Sequence, residues 1–267
     1  MTGFLSSYTP EPVAFQVFGI DIMWYGVLIA AGIALGTLVA CRRAPRHGIQ
    51  SERVLDLLHF CLPAGIIGAR LYYVAFNWSI YAGDFAKIFN TRLGGLAIHG
   101  GLIAGFLIAL IVCKAKDIKF FSAADVFVPG IALAQSIGRW GNYFNSEAHG
   151  GLTDLPWGIP VGGQMVHPTF LYESLWCLVL FFILILIDNR RRFEGQTALS
   201  YGMLYSLERF FVESLRTDSL MLFGMFKQAR VISALIFILC LFAWTRLRRT
   251  ARSRGLDFYI WQGDMRR

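Results

Sequence analysis

Residues 22–43 read IMWYGVLIAAGIALGTLVACRR, a stretch with no charged residue before the two arginines that close it. An α-helix needs about 20 predominantly apolar residues to cross the hydrocarbon of a bilayer, and 22–40 comes close to that length. Lys and Arg of short loops stay on the cytoplasmic side of a membrane. Arg42, Arg43 and Arg46 therefore mark the inner end of a first span and place the N-terminus outside.

The same pattern continues along the chain. Further spans are expected at about 54–76, 96–113, 120–137, 168–187, 197–215 and 231–244; the second is less clean and holds Asp56, His59 and Arg70. The chain is 56% hydrophobic and only 16% charged, where a soluble domain carries about a quarter charged residues. The fold class expected is an all-α integral membrane protein of about seven transmembrane helices, a single polytopic domain over 1–267. Residues 77–95 are polar with Gly and Asn turn signals and read as an external arm. Residues 139–166, rich in Gly, Asn and Pro, read as a small external lobe.

A formal net charge of +8 could point to nucleic acid, so the positions of the basic residues decide. They cluster just after apolar runs: Arg42, Arg43 and Arg46; Lys114, Lys116 and Lys119; Arg190, Arg191 and Arg192; and the tail with Arg246, Arg248, Arg249, Arg252 and Arg254. With the spans above, seventeen of the 25 basic residues fall inside. Lys87, Arg92, Arg139, Arg216 and Lys227 fall outside, and Arg70, Arg209 and Arg230 within spans. That asymmetry puts the C-terminus in the cytoplasm. It argues against nucleic acid as a partner, which would want a folded basic face with readers beside it, and for a basic tail resting on anionic membrane lipid.

Cys41, Cys61, Cys113, Cys177 and Cys240 are odd in number, form no CxxC pair and lie in or at the ends of apolar runs, so neither a disulfide framework nor a zinc site is suggested. The first 15 residues carry no basic residue and no long apolar run, and no cleavable targeting segment is read there.

Four places concentrate polar groups where an ordinary span has none. In Gly94-Gly95-Leu96-Ala97-Ile98-His99-Gly100-Gly101, His99 is expected about one turn into the third span, among glycines that allow close approach. The alternative there is a histidine bonded between helices packed on small residues. In Gly138-Arg139-Trp140-Gly141-Asn142-Tyr143-Phe144-Asn145-Ser146-Glu147-Ala148-His149-Gly150, an Arg, two Asn and a Glu crowd the outer end of the fourth span. A guanidinium fork suits a phosphate or carboxylate; the plainer reading is an Arg139–Glu147 ion pair with capping asparagines.

On the sixth span Tyr201, Tyr205, Arg209 and Glu213 recur every fourth residue and share one face, with Arg216 close to it. Arg in mid-span costs about 2.5–3.5 kcal/mol on insertion scales and must face protein or water; Glu213 is its simplest partner. The fifth span opens with His167-Pro168-Thr169-Phe170-Leu171-Tyr172-Glu173, where Glu173 is a counter-charge for one of the arginines. Together these describe a cationic pocket in the outer leaflet for an anionic phospholipid head group. No HExxH, paired Asp or GxSxG motif accompanies it, so no metal and no cofactor are implied. Chemistry there would rest on positioning and on stabilising a phosphate leaving group.

The segment Gly138 to Gly150 closely resembles the signature of the prolipoprotein diacylglyceryl transferase family: G-R-x-G-N-F, an apolar residue, N-x-E, two free positions, then G. The match is complete except that Tyr143 stands where Phe is usual. The HGG at His99, the HPTFLYES run from His167 and the stretch from Tyr205 to Arg216 also look like the family, in the same order. The resemblance implies transfer of the diacylglyceryl group of phosphatidylglycerol to the lipobox cysteine of a prolipoprotein signal peptide, giving a thioether and glycerol 1-phosphate. It implies the bacterial cytoplasmic (inner) membrane as location, with the active site towards the outer face.

By the same resemblance Arg139 would bind the lipid phosphate, with Asn142, Asn145, Glu147 and Gly150 shaping the head-group site. Arg209 would stabilise the departing phosphate, with Tyr205, Tyr25 and Arg216 nearby. His99 is the candidate general base, because an imidazole titrates near the working pH. The competing classes are a phospholipid transporter or flippase, expected to show internal repeats or a polar path through the whole bilayer, and a non-catalytic lipid-binding scaffold.

Overall fold

All seven expected spans form long helices: α1 (Trp24–Arg43), α2 (Ser51–Phe76), α3 (Ile98–Ala115), α4 (Phe120–Phe144), α5 (Thr169–Asn189), α6 (Gln196–Leu215) and α7 (Gln228–Ser253). The structure is a computed structural model that describes residues 10–84, 86–90, 94–217, 219–222, 225–253 and 255. Arg92 and Arg254, placed outside and inside by the charge pattern, lie outside the described residues. Six of the helices are both long and apolar enough to cross a membrane. The exception is α6, which has the length but carries Glu208, Arg209 and Glu213.

Helix ends differ from the expected ones for identifiable reasons. α3 begins only at Ile98, because Gly94 and Gly95 take left-handed backbone (φ 86° and 82°) that a helix cannot include. His99 therefore sits in the first turn rather than one turn in. α4 runs on through Gly138 and Gly141 to Phe144, so Arg139 and Asn142 are helical and the lobe starts later than 139. The glycines that look like turn signals are contact points instead. A methyl group on Gly141 would lie 2.6 Å from the Tyr25 ring, and one on Gly138 3.2 Å from Ile29.

Farther along the same two helices, a methyl on Gly36 would come within 2.7 Å of the Gly130 carbonyl, and one on Gly32 within 3.0 Å of that of Ala134. Small residues at this spacing let helix backbones approach where lipid gives no hydrophobic drive to associate. The crossing of α1 and α4 is built this way, and it lays Tyr25 against the turn of α4 that carries Arg139.

Among the described residues, three antiparallel hairpins supplement the helices: β1 (Val13–Val17) with β2 (Ile20–Met23), β3 (Ile159–Val161) with β4 (Gln164–Val166), and β5 (Met221–Leu222) with β6 (Phe226–Lys227). The second lies in the expected lobe and turns through Gly162-Gly163, both at positive φ, the pair of conformations that a two-residue hairpin favours. Its Ile159 and Val166 bury against Tyr143 and Phe170. The lobe thus has its own small core at the mouth of α4 and α5.

The chain divides into two compact units, one of Cys41–Ala123 and the other of the remainder. In the first, α2 and α3 meet at Gly68 and Gly100, where neither position leaves room for a methyl group. Arg70 of α2 is buried at 7% exposure and resolves the question that its place in a span raises. Its Nε donates to the Ile88 carbonyl (2.7 Å), Nη1 to those of Gly94 and Gly95 (3.0 and 2.9 Å), and Nη2 to those of Lys87 and Asn90 (both 2.8 Å). All five guanidinium N–H donors are engaged, and the Tyr81 ring lies 5.2 Å away.

Arg70 is a clamp on the arm. Arg70→Ala leaves five backbone carbonyls without their charged donor, each such bond being worth about 1.5–3 kcal/mol. Limited proteolysis of the reconstituted variant should show faster cleavage within 77–95 while α2 and α3 stay protected. Unchanged cleavage there contradicts the clamp.

Candidate functional site

In the larger unit, the last turns of α4, the first turn and a half of α5 and the C-terminal half of α6 present ionisable side chains to one another. The α6 stripe forms as its four-residue spacing requires. Tyr201 and Tyr205 stack with ring centroids 5.5 Å apart, and the Tyr201 hydroxyl donates to Gln135 Oε1 of α4 at 2.9 Å. Arg209 pairs through Nη2 with Glu213 Oε2 at 2.6 Å, the neutralisation expected within the helix.

Glu173 of α5 then joins the stripe to the signature of α4. One of its oxygens, Oε2, is 3.0 Å from Arg139 Nη1, and Oε1 accepts a hydrogen bond from Arg209 Nη1. The side chain of Glu173 is 1% exposed, whereas those of Arg139 and Arg209 are 21% and 20% exposed. Arg139 Nη2 also donates to the Tyr205 hydroxyl at 3.2 Å. One buried carboxylate therefore holds two guanidiniums together, and both retain an accessible edge.

Burying charge at this depth is tolerated only when it is paired and hydrogen-bonded. Here two arginines face Glu173 and Glu213, so the four groups are neutral as a set. What the arrangement offers is a pair of planar donors whose spacing is set before any ligand arrives. That geometry suits an oxyanion with several oxygens, such as a phosphate.

The register of α4 and α5 that allows this meeting has its own device. The Trp140 Nε1–H donates to Ser174 Oγ at 3.1 Å, and the Ser174 hydroxyl donates to the Ser136 carbonyl at 2.8 Å. Ser174 follows Glu173 directly, so this buried bond fixes the neighbour of the shared carboxylate. The sequence carried no signal for Ser136, and offered Ser174 only as the last residue of the HPTFLYES run. Glu208 was also missed because it lies off the stripe. It is 7% exposed, and among the described residues neither of its carboxylate oxygens has a hydrogen-bond partner.

One turn beyond Arg139 a second group forms. Asn142 and Asn145 both donate from Nδ2 to Glu147 Oε1, at 3.0 and 3.2 Å, and the Glu147 amide closes back on the Asn142 carbonyl at 3.0 Å. Glu147 is thus held by the asparagines, and Arg139 takes Glu173 as its ion-pair partner instead. Gly150 is required by contact: a methyl there would lie 2.7 Å from His167 Cβ and 3.0 Å from the Leu215 carbonyl. At this point Gly150 bridges the backbone of Arg216, and the Lys227 ammonium donates to the Arg216 carbonyl at 2.6 Å. The lobe is in this way stitched to the end of α6.

The structure therefore brings Arg139, Tyr205 and Arg209 together around Glu173, sets Asn142, Asn145 and Glu147 on the following turn, ties Gly150 to Arg216, and packs Tyr25 on Gly141. His99 belongs to the Cys41–Ala123 unit, where its ring lies 6.2 Å from that of Tyr72. Arg230, the other arginine in a span, stands 4.4 Å over the Phe210 ring, a cation–π contact.

Comparison with known proteins gives the family of this chain. The family model described as prolipoprotein diacylglyceryl transferase matches residues 12–246. A protein of Clostridioides difficile is 56% identical over 223 residues, covering 84% of this chain and 90% of its own. One of Finegoldia magna is 48% identical over 229 residues, covering 85% and 92%. One of Staphylococcus aureus is 41% identical over 241 residues, covering 86% of each. All three relatives are named phosphatidylglycerol–prolipoprotein diacylglyceryl transferase. The matched region contains every element of the site, from Tyr25 to Arg216, and this chain belongs to the prolipoprotein diacylglyceryl transferase family.

Proposed function

We propose that this chain transfers the diacylglyceryl group of phosphatidylglycerol to the lipobox cysteine thiol of a prolipoprotein, in a bacterial cytoplasmic membrane and at a site towards its outer face. The observation that carries this reading is the pair Arg139 and Arg209 held on one buried Glu173. In the reaction the cysteine sulfur bonds to the glyceryl carbon as the carbon–oxygen bond to phosphate breaks. The electron pair leaves with glycerol 1-phosphate, and the thiol proton passes to a base.

Each part of that step has a role for named residues. Arg139 binds the lipid phosphate in the ground state, and Arg209 takes up the charge that develops as it leaves, a preorganised stabilisation of the kind that often dominates enzyme catalysis. Tyr205 orients Arg139. Asn142, Asn145 and Glu147 shape the glycerol end of the head group, with Gly150, Arg216 and Tyr25 at its borders. Because the thiolate is the effective nucleophile, His99 is assigned as the base that receives its proton.

With α6 counted as a span alongside the six apolar helices and the basic loops inside, the site faces outward. Nothing observed favours transport over transfer. The deciding experiment incubates purified protein with phosphatidylglycerol and a lipobox peptide and weighs the peptide. A diacylglyceryl mass on its cysteine is expected; unmodified peptide with lipid moved between leaflets supports a transporter, and neither outcome leaves only a binding scaffold.

His99→Gln separates base from site. It should lower the rate by about 10²–10⁴-fold, the usual contribution of general acid–base catalysis, with little change in phosphatidylglycerol binding. A variant that keeps most of its activity removes the base assignment and leaves the phosphate site standing.

A further inference from the structure

At the other end of α5, α6 and α7, a cleft of about 420 Å³ has Leu186, Ile187, Arg190, Arg192, Trp244 and Arg248 in its lining, within the usual size range for small-ligand sites. Arg190 lies about 25 Å beyond Glu173 along α5, at 1.5 Å per residue, so this cleft is separate from the Arg139–Glu173–Arg209 group. Among the described residues its lining contains three arginines and no acidic residue.

Glu194 is exposed in the same loop but does not line the cleft, and the two buried acids nearby are committed elsewhere. The buried Asp188 pairs with Arg191 at 3.7 Å and accepts from Thr197 at 3.0 Å. Asp125 of α4, fully buried, accepts from the Gly195 and Ala198 amides at 2.7 and 2.8 Å. Gln196 Oε1 in turn receives the Arg192 amide at 2.7 Å. The loop that presents Arg190 and Arg192 is therefore fixed from three sides. Across the cleft, the Arg248 guanidinium lies 5.0 Å from the Trp244 ring centroid, which orients it without using up its planar fork.

The lining divides by character. Arg190 and Arg248 are exposed, and they sit beside an apolar lip to which Leu186, 61% exposed on a membrane-spanning helix, contributes. A free phosphate would use the arginines and gain nothing from that lip. A phospholipid uses both, with its phosphate against the guanidiniums and its acyl chains along Leu186 and Ile187. Trp and Arg at the membrane interface suit such a ligand.

We propose that this cleft is a second lipid site, which holds the head group of an anionic phospholipid in the leaflet on the side of the basic loops, apart from the transfer site and independent of its chemistry. The test uses native mass spectrometry of the detergent-purified full chain with dioleoyl phosphatidylserine, dioleoyl phosphatidylcholine and inorganic phosphate as probes. The wild type should retain one phosphatidylserine in preference to phosphatidylcholine. The double variant Arg190→Gln/Arg248→Gln should lose about 30-fold in that affinity, since two basic side chains near an anionic head group are removed.

Arg139→Ala should leave this retention intact, so failure here and failure of the transfer site are told apart. Arg190→Lys/Arg248→Lys keeps the charge and should retain part of the affinity; its thermal unfolding, compared with wild type, separates lost binding from lost folding. Equal retention by wild type and the Gln double variant overturns the site. So does displacement of the lipid by an equal concentration of inorganic phosphate, which would mark an anion site only.

Discussion

Glu173→Gln is expected to lower transfer by two orders of magnitude or more and to destabilise the protein as well. The side chain is 1% exposed and touches both Arg139 and Arg209. Glutamine keeps the shape and one carbonyl oxygen but removes the negative charge, so two guanidiniums face each other across a neutral group. Taking one partner out of a buried ion pair costs about 3–5 kcal/mol, and here it leaves Arg139 without a carboxylate while Arg209 keeps Glu213. The donors then move apart or turn to solvent, and the preorganisation that makes them useful to a leaving phosphate is lost.

The measurement has two arms. The thioether formed on a lipobox peptide gives the rate, and thermal unfolding in detergent gives the stability. A variant with wild-type rate and unchanged unfolding would show that the arginines are held by something other than Glu173. Loss of stability with full activity would make Glu173 structural only.

Arg139→Ala has the other large expected effect, abolition of transfer in a protein that still inserts. Removing a single preorganised donor to a developing anion typically costs about 10²–10³ in rate, and Arg139 contributes ground-state binding as well. It also leaves Glu173 with one arginine instead of two and Tyr205 without its 3.2 Å donor, so the remaining site is displaced too. Arg139→Lys is the sharper probe. A lysine supplies charge as a point, not as a fork that reaches Glu173 and Tyr205 at once, and should recover only a small part of the rate. Full activity in Arg139→Ala would sink the assignment of this group as the transfer site, whatever the fate of His99.

How much of this was legible beforehand differs by element. The spans were readable because crossing a bilayer imposes a length and a composition on consecutive residues, and the stretch at 22–43 shows both together with its basic stop. The α6 stripe was readable because a four-residue spacing is a local property of a helix. The end of α4 was not, since Gly138 and Gly141 look like turn residues until Tyr25 and Ile29 of another helix are seen packed on them. Arg70 stayed unexplained for a similar reason. Its partners are five backbone carbonyls between Lys87 and Gly95, and carbonyls leave no mark in a sequence.

Glu173 marks the boundary most clearly. The sequence by itself determined a membrane protein with apolar spans closed by basic loops, and a signature around Arg139 beside a charged stripe on α6. It offered Glu173 as a counter-charge for one arginine. Only the tertiary structure decided that it serves both, through the register that Trp140, Ser174 and Ser136 set between α4 and α5. Hydrophobicity and helical periodicity act between neighbours in the chain, whereas the sharing of one buried carboxylate by two arginines depends on which helices pack together and at what height.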